Sequence, residues 1–344
     1  MTTLVTGATG FVGSHIARLL AERGEAVRVL VRPSSRAAVL DGVRCERVTG
    51  DLCDANSLDD ALEGVRRVFH VAADYRLWTR DPAEIYASNV EGTRNLLVTA
   101  RQKGIEHFIY TSTVATIAVP THDAELADES TPASLKQMIG HYKRSKFIAE
   151  REVLAFSREK MRVIVVNPTT PVGPGDWKPT PTGRILVDFL NGRMPAFVDT
   201  GLNLVAVEDV ALGHLLAAER GRPGERYLLG GQNMTLEQIL AELARITGKR
   251  APRMRIPHGV ALAAAYVDTA VCRMMGREPH IPLEGVKIAR HRMFVNTAKA
   301  GRELAFHPSP VSEALERAVR WYEANGYVGR ERASRSPARA ERAA

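Results

Sequence analysis

The chain has 344 residues, 45% of them hydrophobic and 25% charged, with a formal net charge of +8. These proportions exclude a collagen-like or low-complexity chain and leave a globular protein of one large or two modest domains. Three cysteines, Cys45, Cys53 and Cys272, show no metal-ligand spacing and no disulfide framework, which fits a reducing cytoplasm.

In chain order, β-branched runs predict strands at residues 3–6, 27–31, 44–48, 68–71, 108–112 and 162–166. Helical patterns lie among them at 12–23, 82–103 and 142–158. The first strand starts at residue 3, so no leader peptide is expected. Strands alternating with helices predict an α/β fold, a doubly wound parallel sheet with right-handed crossovers. Beyond Asn167 the texture changes, and residues 168–181 are rich in the proline and glycine of loops. Helices follow at 183–191, 207–220, 236–247, 259–275 and 312–324, with one further strand at 226–229. They predict a smaller, mostly helical cap on the carboxyl edge of the sheet. The most apolar stretch, 260–275, is broken by Asp268 and Arg273 and is too short to span a bilayer, so it reads as a core or interfacial helix. Residues 329–344 hold five Arg and two Glu without apolar periodicity and read as a disordered basic tail. Such a tail could touch RNA or anionic lipid, though a solvated terminus with no partner is the simpler reading. Nothing resembles a nucleic-acid motif, and no cluster of His, Cys, Asp and Glu suggests a metal.

The turn after the first strand reads Thr6-Gly7-Ala8-Thr9-Gly10-Phe11-Val12-Gly13. Glycines there permit a tight turn, close backbone approach to a pyrophosphate, and close helix–strand packing. The helix that opens behind them offers unpaired N–H groups and a positive dipole end to an anion. Residues 1–170 are therefore expected to form a Rossmann dinucleotide-binding domain to which 203–230 return, with 171–202 and 231–328 as the substrate cap. An acidic residue about 20 positions after the glycines would bind the ribose 2′-OH of NAD. Arg32 stands there instead, in Val31-Arg32-Pro33-Ser34-Ser35-Arg36, and a guanidinium suits a 2′-phosphate. NADP(H) is thus the expected cofactor, and NAD(H) the alternative if Arg32 is a plain surface residue.

Tyr142 and Lys146 stand four residues apart on one face of a predicted helix. A phenol titrates near pH 10, and a lysine ammonium one turn away is expected to lower that value. The pair could then exchange a proton with a substrate oxygen while hydride moves to or from a nicotinamide. Of the other polar and aromatic residues, Tyr75 and Trp78 are equally well read as pocket lining or as packing. Lys178 and Arg184 could hold a substrate anion, though solvation is the simpler role. His70 is expected to make a structural hydrogen bond, and His141 to sit at the helix start.

The segments TGATGFVG (6–13), GDL (50–52), HVAA (70–73), NVEGT (89–93), YTST (110–113) and YKRSK (142–146) together resemble the extended short-chain dehydrogenases, a likeness covering about residues 1–328. The resemblance implies that Gly7, Thr9, Gly10, Phe11 and Val12 hold the pyrophosphate, that Asp51 and Leu52 flank the adenine, and that Ala72 and Ala73 line pyrophosphate and ribose. It implies that Asn89 steadies the active-site helix, that Lys146 also holds the nicotinamide ribose, and that Pro168 borders the nicotinamide. The third catalytic residue is normally serine, and Thr113 stands in its place. The runs HVAADYRLWTRDPAEIY, NPTTPVGPGDWKPTPTGRI and VDFLNGRMPAFVDTGLNLV narrow the likeness to hopanoid-associated sugar epimerases and dihydroflavonol 4-reductase-like proteins. That implies hydride exchange with a ketone or secondary alcohol of a small-molecule or lipid-linked sugar or polyol, in hopanoid lipid biosynthesis. The alternative is an NAD-dependent sugar epimerase with no net redox change. A non-catalytic redox sensor on this fold is a third class, disfavoured by the intact Tyr142/Lys146 pair. The resemblance further implies a homodimer through helices 82–103 and 142–158, and a cytoplasmic protein with peripheral contact to the inner membrane.

Overall fold

Strand β1 (Thr2–Thr6) runs through the glycine turn into α1 (Phe11–Glu22), which returns to β2 (Ala26–Val31) and β3 (Glu46–Thr49). Next come α2 (Ala55–Leu62), β4 (Val65–His70), α3 (Ala83–Tyr86), a π turn (Ala87–Glu91) and α4 (Gly92–Gln102). Strand β5 (His107–Thr111), helix α5 (Gly140–Phe156) and strand β6 (Arg162–Pro168) complete the first half. The computed structural model describes residues 1–117, 126–157, 161–275, 277–279 and 281–329. The basic tail, apart from Gly329, and Arg158 at the end of the helix expected over 142–158 lie outside the described residues.

The second half begins with β7 (Thr170–Val172), α6 (Pro181–Leu190), β8 (Ala196–Val198) and β9 (Gly201–Ala206). It continues through α7 (Val207–Arg220), β10 (Arg226–Leu229), β11 (Gln232–Thr235), α8 (Leu236–Thr247) and β12 (Met254–Ile256). It ends with α9 (His258–Met274), α10 (Leu283–Ile288), β13 (Arg292–Met293), α11 (Ala298–Leu304) and α12 (Val311–Ala324).

Seven strands form one parallel sheet in the order β3-β2-β1-β4-β5-β6-β10, the doubly wound arrangement expected from the sequence. Neighbouring residues on a strand face opposite ways, so Val5, Val29 and Ile109 join Ile16 and Leu20 of α1 and Val210 and Leu215 of α7 on one face. Leu4, Val68 and Phe108 meet Leu58, Leu96 and Val153 on the other. Both faces are covered, as an all-parallel sheet requires. The strand order reverses between β1 and β4, and ligand crevices open at such switch points, outside the carboxyl ends of the strands.

The cap has its own core, with Leu186, Phe189, Leu240, Leu243, Leu315 and Val319 among its buried residues. It is helical as expected but also holds small sheets that periodicity did not reveal. Strand β9 pairs antiparallel with β11 and parallel with β7 and β13, while β8 pairs with β12.

Candidate active site

The glycine turn is tight for a physical reason. Gly7 has φ of 68°, and a Cβ there would lie 2.6 Å from the backbone nitrogen of Ala72. A Cβ on Gly13 would run into the Gly7 carbonyl oxygen, so α1 presses directly on the turn. Helix α1 opens at Gly10 with no side-chain cap and no acidic residue in its first turn. Its positive end is therefore available to an anion, and these residues fit a dinucleotide pyrophosphate. Thr9, Phe11, Val12, Ala72 and Ala73 are half-buried around this mouth.

Arg32 is exposed just beyond β2, where Ser35 N donates to its carbonyl at 2.9 Å and its own N–H donates to Ser35 Oγ at 3.1 Å. Its charge reaches Cys53, whose thiol it pulls down against the larger upward push of burial. Arg32 thus shares a wall with Asp51 and Leu52, the residues expected at the adenine. Arg36 is engaged elsewhere, with its guanidinium 4.7 Å from the centre of the Trp177 ring. Trp177 belongs to the proline-rich segment, which also meets α1 where His15 Nε2 and the Pro174 carbonyl lie 2.9 Å apart.

The loop after β4 is fastened to α5 by Asn89. The π turn inserts one residue into the helix and buries this side chain, which accepts from Asp74 N at 2.7 Å and donates to the Asp74 carbonyl at 2.8 Å and Ser145 Oγ at 3.0 Å. His70 lies between Thr6 Oγ1, 2.7 Å from Nδ1, and Thr93 Oγ1, 2.9 Å from Nε2. Thr93 gives its proton to the Asn89 carbonyl, so the network assigns the His70 proton to Nε2. Burial holds His70 down to about 3, which makes it a neutral strut rather than an acid.

Tyr142 is half-buried in the first turn of α5. Burial pushes its phenol up to about 12, opposed by the nearby Thr113 hydroxyl and reinforced by the Tyr75 phenol. The expected lowering by Lys146 is not seen in this chain. Lys146 is buried and donates to Tyr110 OH at 2.7 Å and to the Thr111 carbonyl at 2.8 Å, so its head is held against β5. Burial drops it to about 7, with the Glu150 carboxylate working the other way. Thr113 Oγ1 also accepts from Ala115 N at 3.2 Å, which fixes the rotamer that brings it to Tyr142. The neighbouring Ser112 hydroxyl is buried without a partner among the described residues. An orphaned hydroxyl at the strand end beside Thr113 is what a bound polar group would satisfy.

Sequence reading missed the groups behind this trio. Glu150 Oε2 accepts from Thr116 Oγ1 at 2.8 Å and Asn167 Nδ2 at 2.9 Å, and its Oε1 from Arg226 at 3.0 Å. Asn167 Nδ2 also donates to the Thr113 carbonyl at 3.1 Å, and the Thr116 hydroxyl lies 2.8 Å from that carbonyl as well, an alternative acceptor for its single proton. One buried carboxylate therefore ties β6, β10 and α5 to the turn that carries Thr113. Its spacing, four residues past Lys146, was the available signal. A second carboxylate, Glu284 of α10, reaches the start of α5, where it fills the space a Cβ on Gly140 would need.

Tyr75 faces this centre and donates to the Lys178 carbonyl at 3.4 Å, and Arg184 acts electrostatically on its phenol. Trp78 lies apart from Tyr75, lining a cavity of about 210 Å³ with His141, Thr269, Leu283 and Glu284. Pro168 ends β6 beside β10, and Asp51 Oδ1 accepts from Cys53 N at 2.9 Å.

Known proteins match this arrangement along its length. A family model described as the NAD dependent epimerase/dehydratase family matches residues 3–230. A putative dihydroflavonol 4-reductase of Synechocystis is 46% identical over 328 residues, 94% of this chain and 95% of the relative. Sterol demethylase protein B of Methylococcus capsulatus is 36% identical over 95% of this chain and all of its own. The crystal structure of gox2253 superposes with a TM-score of 0.85 at 46% identity, over 95% of this chain and 99% of that one. The matched segment begins in the first strand of the main sheet and ends just past the last, and the chain belongs to the NAD dependent epimerase/dehydratase family, the extended short-chain dehydrogenase/reductases.

Proposed function

We propose that the chain is an NADP(H)-preferring reductase or dehydrogenase that acts on a ketone or secondary alcohol carried by an apolar skeleton. The observation that carries the reading is the nearness of the Thr113 hydroxyl to the Tyr142 phenol, which it acts on, with the Lys146 head held on the Thr111 carbonyl at the carboxyl edge of the sheet. A nicotinamide dinucleotide, when bound, supplies or accepts the hydride. The Thr113 and Tyr142 hydroxyls hold the substrate oxygen between them. Tyr142, protonated at neutral pH, gives that oxygen its proton in reduction. Arg32 supports the choice of NADP(H), because a guanidinium is matched to a phosphate dianion.

The name of one relative, a putative dihydroflavonol 4-reductase, supports reduction at an oxygen-bearing ring carbon, and that of another, a sterol demethylase protein, supports an apolar polycyclic substrate. A sugar or polyol head on a pentacyclic hopanoid lipid is one member of that class. The second reading is an epimerase, favoured by the description of the matching family model. An epimerase returns its hydride to the same substrate and keeps its cofactor, whereas a reductase exchanges it at every turnover. Mass spectrometry of cofactor released from freshly purified protein separates the two. We expect substoichiometric nucleotide, followed by NADPH consumption with a cyclic ketone. Stoichiometric NAD with no consumption of NADPH would replace the reductase by the epimerase.

A further inference from the structure

Helix α9 reverses the usual pattern of a cap helix. Its inner face buries Ala265 and Cys272, while Val260, Ala264, Val267, Val271, Met274 and the flanking Met275 are all exposed. These six recur at spacings of 4, 3, 4, 3 and 1, which places them on one stripe along the helix. Val267 is 64% exposed and Met274 82%, so among the described residues the stripe faces solvent. A continuous apolar stripe on a solvent face marks an interaction site.

The surroundings of the stripe identify its occupant. Met254, on β12 just before the helix, is 60% exposed and extends the apolar line, with exposed Arg253 beside it. Exposed Arg273 and Arg277 stand at the far end. Lys287 of α10 reaches alongside, its ammonium 5.7 Å from the centre of the exposed Tyr266 ring. From Arg250 to Arg292 the chain carries eight Arg and Lys against three Asp and Glu; Arg255 and Arg292 are paired with Asp199 and Glu237, which leaves a local excess of three positive charges. A second copy of the chain would set this positive collar against itself. An anionic bilayer is complementary to it.

We propose that α9 is a monotopic membrane-docking helix that lies in the interface of an anionic bilayer, its stripe among the acyl chains and its collar on the head groups. No helix among the described residues is long and apolar enough to cross a membrane, and a 17-residue helix of about 25 Å lies in the plane. The opposite side of α9 presents Thr269 to the cavity lined by Trp78 and His141. Docking would therefore bring lipid to one face of the helix whose other face borders the start of α5. The proposal stands on the helix and its collar and does not depend on the reaction assigned above.

The test is sedimentation of the full chain with vesicles of phosphatidylglycerol and phosphatidylcholine in equal parts, beside vesicles of phosphatidylcholine alone. The wild-type chain is expected to pellet with the anionic vesicles, less so as salt is raised, and to stay in solution with the neutral ones. The double variant V267D/M274D should lower the bound fraction at least tenfold with an unchanged melting temperature, since both positions are exposed. Arg277→Glu with Lys287→Glu leaves the stripe intact and should remove the preference for anionic lipid, which covers the case of an unfolded double variant. Three results would overturn the proposal. One is a wild-type chain that ignores both vesicles. Another is binding that V267D/M274D leaves unchanged, which would assign it to the basic tail. The third is self-association of the wild type, abolished by V267D/M274D, in place of vesicle binding.

Discussion

Burial pushes the Tyr142 phenol up to about 12, so it is protonated at neutral pH. Exchange for phenylalanine keeps the ring's packing and removes the donor. Turnover of Tyr142→Phe should fall by about 10²-fold or more with cofactor binding nearly intact, measured by steady-state kinetics beside a cofactor titration. Lys146 supplies a prediction of stability. Its ordinary pKa of 10.5 drops to about 7 in the fold, so between those values the unfolded chain binds a proton that the folded chain does not. Stability from this group therefore rises with pH across that window. The melting temperature of the wild type relative to Lys146→Met should increase from pH 7 to pH 10, and a difference that stays constant would contradict the assignment. At Arg32, a charge-assisted contact to a 2′-phosphate is worth about 1.5–3 kcal/mol, or roughly ten-fold and more in affinity. Arg32→Asp should reverse the order of NADPH and NADH in a calorimetric titration. The glycine turn and the Tyr142/Lys146 pair were legible because each is a local spacing. Glu150, Arg226 and Glu284 were not, because what matters about them is the distant turn, strand or helix end that each reaches.

At the level of elements, strands of the main sheet declared themselves by β-branched runs, and their ends shifted by up to three residues, as with β4 at Val65–His70 against an expected 68–71. The small cap sheet escaped notice because β7 contains proline and β11 reads Gln-Asn-Met-Thr, sequences whose strand character comes from pairing with β9 rather than from propensity. The helix expected over 82–103 exists but carries a π turn at Ala87–Glu91, which an apolar period of 3.6 does not disclose. Helix α5 begins at Gly140, with φ of 84° and the Glu284 carboxylate against its Cα. Gly140→Ala would put a methyl where that carboxylate lies and would cost roughly 1–2 kcal/mol for the left-handed backbone alone. Lower thermal stability and reduced turnover together are expected, since Tyr142 is two residues away. A loss of stability with wild-type turnover would show that the start of α5 does not position Tyr142.

The whole molecule is threaded so that its two layers depend on each other. Between β6 and β10 the chain leaves the main sheet, builds part of the cap, and returns as α7 and β10. Helix α7 covers β5 and β6 and packs against α1, so one face of the main sheet is closed by a segment that starts at Val207. Residues 1–170 expressed alone should therefore aggregate, exposing Val5, Ile109 and Ile164 and the bare edge of β6, whereas recovery of a soluble monomer by size exclusion would refute this. The same threading bears on synthesis. At roughly 5–20 residues per second, a ribosome needs several seconds to deliver α7 and β10 after β6 has emerged. Through that interval the nascent chain already includes β1, β2 and β4, the strands that flank the crevice, while α7 and β10 are still to come. Early capture of the dinucleotide would then act as a folding ligand, steadying the amino-terminal half until its cover arrives.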